Sequence, residues 1–171
     1  MKHPVFSKCN MNSMMLMLKK CCAFVSLKKY QILYKEGDEA ALLYVPIYGE
    51  LTVWSQRHGQ FGRLGLGATV GEEAVCDKQF SLRSDNCYAE AESGLICIVR
   101  EKWLALKLQK DAQLQRDLTT LEDVFRRNHF TKKRWRTGII NSTRSQSVVG
   151  HTQSAAALAA KTILHAYHKH L

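Results

Sequence analysis

Leu64-Gly65-Leu66-Gly67-Ala68-Thr69-Val70-Gly71-Glu72-Glu73-Ala74-Val75 is the stretch whose reading decides the fold. Glycines at 65, 67 and 71 permit sharp turns and backbone conformations closed to residues with a Cβ. Gly71-Glu72 then opens a short run that predicts one helical turn, and the free N–H groups at such a start suit an anion. Arg83 follows, and with Lys78 it is the whole Lys/Arg content between Arg63 and Arg100. Its rigid fork suits bidentate binding of a phosphate, and Ser84 sets a hydroxyl beside it. Backbone N–H groups, a carboxylate, a guanidinium and a hydroxyl in one cassette suit a small phosphorylated ligand that carries ribose hydroxyls.

Outward from the cassette, short β runs alternate with turn residues. Phe24 to Leu27, Tyr30 to Tyr34, Leu42 to Ile47, Glu50 to Trp54, Phe61 to Leu64 and Leu95 to Val99 each predict a strand, as does a run that Arg83 opens and that passes through Cys87-Tyr88-Ala89. Pro46 places its strand at an edge or a bulge, because proline has no N–H for a ladder. This spacing predicts an antiparallel sandwich or barrel. Ahead of the strands, residues 4–18 predict one short helix with Met14, Met15 and Leu18 on its apolar face. After them, Trp103, Leu104, Leu106 and Leu108 mark a short helix. Asp111 caps another, in which Leu114, Leu118, Leu121 and Phe125 recur at helical spacing. That helix is expected to end at Asn128 or just after it. Lys132 to Gln153 is polar, basic and rich in Ser and Thr, the composition of a linker, and Ser154 caps a candidate helix over 154–170.

Composition narrows the class. A chain of 171 residues is one domain with a tail, long enough to bury a core without staples. Apolar residues at 46% and charged residues at 23% exclude a fully disordered chain, and two prolines exclude a proline-rich or collagen-like one. No apolar run approaches the length of a membrane span. The net charge of +10 is unevenly placed: residues 1–125 carry 16 Lys/Arg against all 15 acids, and residues 126–171 carry 9 against none. The expected organisation is therefore a nearly neutral domain over 1–127 and a basic extension over 128–171, which attracts anionic surfaces through non-specific electrostatics. Cys9, Cys21, Cys22, Cys76, Cys87 and Cys97 form no CxxC pair, so free thiols in a reducing, cytoplasmic setting and no metal site are expected. G-x-S-x-G, HExxH and a P-loop lysine are all missing, so a binding module rather than an enzyme is expected.

At this point the residues resemble a known family. LGLGATVGEEAV followed by RSDNCYA is similar to the phosphate-binding cassette of cyclic nucleotide-binding domains, roughly LGxGxxFGE, an apolar pair, a short loop and R-[ST/A]-A-[TN]-V-x-A. Upstream, EGDEAALLYVPIYGELTVW resembles the family's EGDxxxxxYxIxxGxxxV; downstream, LICIVREKWLAL resembles its closing strand and hinge helix. The likeness covers residues 4–127. It implies a mainly β fold with flanking helices: an antiparallel β-roll (jelly roll) with one N-terminal helix and two C-terminal helices. It implies cAMP or cGMP as ligand and no other cofactor. In the implied site Glu72 bonds the ribose 2′-hydroxyl and Arg83 the cyclic phosphate. The N–H groups near Glu73 and Ala74, after Gly71, complete the phosphate cradle, and Ser84 touches phosphate or guanine. The implied mechanism draws the cassette inward, with the hinge helix following and the helix from Asp111 closing over the base. Leu121, Val124 and Phe125 stand between two readings there, a lid and plain packing. A protein effector, a kinase or another, is the expected partner; nucleic acid is not, because 128–171 lacks a helix-turn-helix pattern.

The chain departs from the family pattern at four places. Val70 stands for a bulkier residue, and the loop before Arg83 is longer than in kinase regulatory subunits. Glu73 stands where an apolar residue is usual and Asp85 where a small one is. In a strand Asp85 shares a face with Arg83 and is a candidate to neutralise it. Two added acids oppose an anion by on the order of 1 kcal/mol each at partly exposed sites. These departures sustain a second expectation: a degenerate fold that binds protein and no ligand.

Overall fold

A computed structural model describes residues 3–57, 59–77 and 81–146. Its strands are β1 (Cys22–Leu27), β2 (Ile32–Tyr34), β3 (Leu42–Tyr48), β4 (Leu51–Ser55), β5 (Gly59–Leu64), β6 (Asn86–Ala89) and β7 (Ser93–Val99). They form two antiparallel sheets, in the orders β1-β7-β3 and β2-β6-β4-β5. This is the expected β-roll with flanking helices.

Alternation along the strands builds two cores. Tyr44 of β3 and Leu95 and Cys97 of β7 face the interior of the roll, where they meet Leu51, Val53, Cys87 and Ala89 from the other sheet. Their neighbours Leu43, Val45 and Ile98 point the other way, into a core made with the helices. The β1-β7-β3 sheet is thus covered on both faces, which is why its central strand reads as the continuous apolar run Leu95-Ile96-Cys97-Ile98-Val99. Pro46 sits as its chemistry requires: β3 is an edge strand, and its pairing with β7 shifts register between Pro46 and Tyr48.

The N-terminal helix departs from expectation. In place of one helix over 4–18 there is a 3₁₀ turn at Pro4–Phe6, then α1 (Met11–Cys21). Asn10 restarts the chain as N-cap, its side chain accepting from the Asn12 N–H at 2.9 Å. The residues α1 buries are Ser13, Met17 and Cys21, one turn apart, while Met15 is 58% exposed.

Three helices follow: α2 (Glu73–Cys76), α3 (Arg100–Lys107) and α4 (Ala112–Gln146). Asp111 caps α4 as expected, accepting from the Leu114 N–H at 2.8 Å. Leu114, Leu118, Leu121 and Phe125 are all buried against α1, α3 and the 3₁₀ turn, with the Phe125 ring 5.8 Å from that of Trp103. Leu121 and Phe125, with the partly buried Val124, pack in the helical core.

The expected end of this helix at Asn128 is corrected, as is the linker expected from Lys132: α4 continues without a break to Gln146. The reason lies in its stripe. After Phe125 the same helical face carries Asn128, Lys132 and Trp135, and each meets the β-roll. Tertiary contact thus keeps helical a segment whose composition alone suggests a linker. The candidate helix over 154–170 lies outside the described residues. Among the described residues no helix is long and apolar enough to cross a membrane.

Phe125→Ala should lower stability by about 3–5 kcal/mol through the cavity it leaves. Met15→Ala, on the exposed face of α1, should stay within about 0.5 kcal/mol of wild type. Urea unfolding followed by circular dichroism checks both; equal midpoints for the two variants would contradict this assignment of the core.

Candidate functional site

The cassette is pinned to β3 before any side chain is considered. Tyr44 and Val70 exchange both backbone hydrogen bonds, at 2.8 and 2.9 Å. Gly71 follows at φ +76°, and a Cβ there would collide with Nη1 of Arg83 and lie 2.8 Å from the Leu42 carbonyl oxygen. Glycine is required twice over, by the backbone and by the guanidinium that packs on it.

Arg83 does not open β6, as the sequence suggests; that strand begins at Asn86. Arg83 is held instead by the turn it faces, its N–H donating to the Asp38 carbonyl at 2.8 Å and its carbonyl accepting from Gly37 at 2.9 Å. The side chain runs inward and is 3% exposed. Its guanidinium carbon lies 4.4 Å from the Tyr34 ring centre and 5.8 Å from that of Tyr44, a cation–π setting. Nη2 donates to the Leu42 carbonyl. Nη1 pairs with Oε2 of Glu73 at 3.6 Å, too long for a hydrogen bond. Buried Nε and Nη1 have no hydrogen-bond partner. Asp85 accepts the Tyr34 hydroxyl at 3.0 Å, and burial pushes that phenol well above its usual range.

Glu72 has no exposed surface. Its Oε1 accepts from the Thr69 hydroxyl at 2.5 Å, and its Oε2 is paired with the ammonium of Lys132. Lys132, 6% exposed, also donates to the Thr69 carbonyl at 3.1 Å. Asn128 donates to the Thr69 hydroxyl oxygen at 3.0 Å. One turn further along α4, the Trp135 ring lies on Gly62 of β5, where an added Cβ would sit 3.3 Å from it. The far half of α4 therefore lies across the cassette.

The other expected site residues lie in the same place with different duties. The Ala74 N–H donates to the Gly71 carbonyl at 3.1 Å. It thus meets an acceptor of the chain itself. Ser84 is exposed and donates to Oε1 of Glu73 at 3.3 Å. Burial pushes the Glu73 carboxyl up, but Lys132, its own N–H, Arg83 and His129 together hold it below its ordinary value. Glu72, Glu73 and His129 bring donor atoms within 4.8 Å of one another, a spacing that would suit a metal ion. Lys132 already supplies positive charge to that cluster.

The cassette is also wired to the helices. Arg100, first in α3, donates to the carbonyls of Ala74 at 2.5 Å and Asp77 at 3.0 Å. Glu122 of α4 accepts from Trp103 at 3.2 Å and from Lys107 at 2.5 Å.

Thr69, Asn128 and Lys132 escape a reading by motif. Asn128 and Lys132 had a signal: they extend the spacing of Leu118, Leu121 and Phe125. A basic composition hid it.

A family model described as "Cyclic nucleotide-binding domain" matches residues 24–110. Among solved structures, a cyclic nucleotide-binding domain from Methylobacillus flagellatus superposes with a TM-score of 0.66 at 16% identity, over 87% of this chain and 83% of that one. The catabolite activator protein of Thermus thermophilus gives a TM-score of 0.60 at 20% identity, over 84% of this chain and 63% of that one. The regulatory subunit of a cAMP-independent protein kinase A from Trypanosoma brucei gives a TM-score of 0.59 at 15% identity, over 74% of this chain and 41% of that one. At these identities the likeness is one of fold. No curated protein matches the sequence.

Because folding holds the Glu73 carboxyl below its ordinary value of 4.5, its ionised form adds stability above that value and the gain is lost as pH falls through the lower, folded one. Glu73→Gln should therefore flatten the fall of Tm as pH drops below the ordinary carboxyl value of 4.5, relative to wild type. Identical slopes in the two thermal melts would show that Glu73 is not held in this way.

Proposed function

The chain belongs to the cyclic nucleotide-binding domain family, and from that premise we propose that it is a regulatory module whose ligand is cAMP or cGMP. The observation that carries the reading is Arg83: a guanidinium buried in the cassette with two donors, Nε and Nη1, that no acceptor meets. A buried donor without an acceptor is destabilising, and a cyclic phosphate has the oxygens to satisfy a planar fork. A hydrogen bond involving a charged group contributes about 1.5–3 kcal/mol, and buried Glu73 opposes an anion in the same corner. Glu72 is the matching acceptor for a ribose hydroxyl. Gly71 lets the guanidinium approach the backbone, and Glu73, Ala74 and Ser84 line the same corner.

The route outward follows the hydrogen bonds. Motion of α2 carries the carbonyls of Ala74 and Asp77, which Arg100 holds, so α3 follows. Glu122 ties α3 to α4, and α4 presents the basic surface that a protein partner reads. Coupling between two such sites has a usual scale of about 1–3 kcal/mol.

A second reading has its own observation. Glu72 is already paired with Lys132 and Arg83 with Glu73, the self-neutralised state of a domain that binds protein and no nucleotide. A regulatory subunit of a cAMP-independent kinase carries the same fold, so the fold is compatible with either reading.

Isothermal titration with cAMP and cGMP separates them. Under the first reading one nucleotide binds saturably, and Arg83→Ala weakens it about 10- to 100-fold, with Arg83→Lys in between. No saturation by either nucleotide at about millimolar concentration, in wild type and also when Lys132 is replaced by Met, overturns the first reading in favour of the second.

A further inference from the structure

Lys132 does more at this site than balance charge. It reaches Glu72 from 60 residues further along the chain, and both side chains are buried. Lysine is almost never fully buried without a partner, so this contact is one that the fold depends on locally. The ammonium bonds Oε2 of Glu72 and the hydroxyl of Thr69 bonds Oε1, so both carboxylate oxygens are already engaged. A neutral ribose hydroxyl cannot replace the charge Lys132 brings, and with Lys132 in place Glu72 has no exposed surface for it to reach.

The helix that carries Lys132 has two unlike halves. Up to Phe125 it is anchored by buried leucines in the helical core. Beyond that, its contacts with the roll and cassette are largely polar: Asn128 and Lys132 on Thr69, Lys132 on Glu72 and His129 beside Glu72 and Glu73, with the Trp135 ring on Gly62. The same half carries Arg126, Arg127, Lys132, Lys133, Arg134, Arg136 and Arg144 and no acid, so its own charges repel and favour release into solvent.

We infer that Lys132 is a latch: by pairing with Glu72 it holds the far half of α4 across the cassette, and a nucleotide gains Glu72 only when that half lets go. The inference rests on the reading of Glu72 as a ligand residue. Its consequence is quantitative. Apparent affinity equals the intrinsic affinity scaled by the fraction of molecules with the latch open, so ligand binding and release of the basic helix are one equilibrium. The output is then exposure of a basic helical face, present with ligand and hidden without it.

The full chain tests this in two measurements. In hydrogen exchange followed by mass spectrometry, Lys132→Met should speed exchange of amides 128–146 by about tenfold or more and leave 112–125 unchanged, because Glu72 loses its counter-charge. Adding Glu72→Gln to Lys132→Met should return protection, because neither charge then remains buried. In titration calorimetry Lys132→Met should bind cAMP or cGMP at least about tenfold more tightly than wild type. Unchanged exchange in Lys132→Met overturns the latch, whatever binds. Faster exchange with equal nucleotide affinity overturns its competition with ligand. Faster exchange with no nucleotide bound by either protein overturns the ligand reading of Glu72, and the latch on α4 stands.

Discussion

Glu72 is fully buried at the head of α2, and a buried carboxylate destabilises a fold by several kcal/mol unless a positive group and hydrogen-bond donors reach it. The chain meets this requirement from two directions. Thr69, three residues earlier in the cassette, supplies a hydroxyl, and Lys132, far along the chain, supplies the charge. The second contribution requires α4 to run on past the apolar core and to lie over the roll. The buried acid is thus joined to Lys132, on a helix of 35 residues whose apolar stripe reaches only to Phe125, while Asn128 meets Thr69 and Trp135 meets Gly62 beside it.

A second ion pair lies beside the first and differs from it in kind. Arg83 and Glu73 belong to the same corner of the roll, with Gly71, the Leu42 carbonyl and the rings of Tyr34 and Tyr44 fixing the guanidinium. That pair is internal to the β-roll and moves with it. The Glu72–Lys132 pair bridges the roll and a helix, so it is the one a shift of α4 breaks. The two are linked, since Lys132 is also the strongest influence holding the Glu73 carboxyl down. Release of Lys132 would therefore alter the charge balance around Arg83 as well as uncover Glu72.

The scaffold makes such a shift local. The β1-β7-β3 sheet is packed on both faces, and the near half of α4 shares the helical core with Trp103 and Met17. Neither can move without opening a close-packed core, which is costly. The cassette and the far half of α4 are held mainly by polar contacts, which exchange with water at much lower net cost. Arg100 and Glu122 carry hydrogen bonds between the two regimes, from α2 to α3 and from α3 to α4.

Much of this was legible in the sequence. The glycines at 65, 67 and 71, the period-two runs around them and the Asp111 cap pointed to an antiparallel sandwich or barrel, to Glu72 and Arg83 in one cassette and to the start of α4, and the family resemblance implied the β-roll. Glycine, proline, capping residues and apolar period act over a few residues, so a sequence displays them directly. Other features depended on partners distant in the chain. Composition marks Lys132 to Gln153 as a linker, yet its described first part is helix, with Lys132 and Trp135 set on the roll and its cassette. Alternation suggests that Arg83 opens a strand, yet backbone bonds to Gly37 and Asp38 hold it ahead of β6. The motif offers the Ala74 N–H to an anion, yet it donates to the Gly71 carbonyl. Sequence by itself determined which residues form the cassette; tertiary structure decided which charges meet there, because a buried ion takes the partner that the fold brings within reach and not the one nearest in the chain.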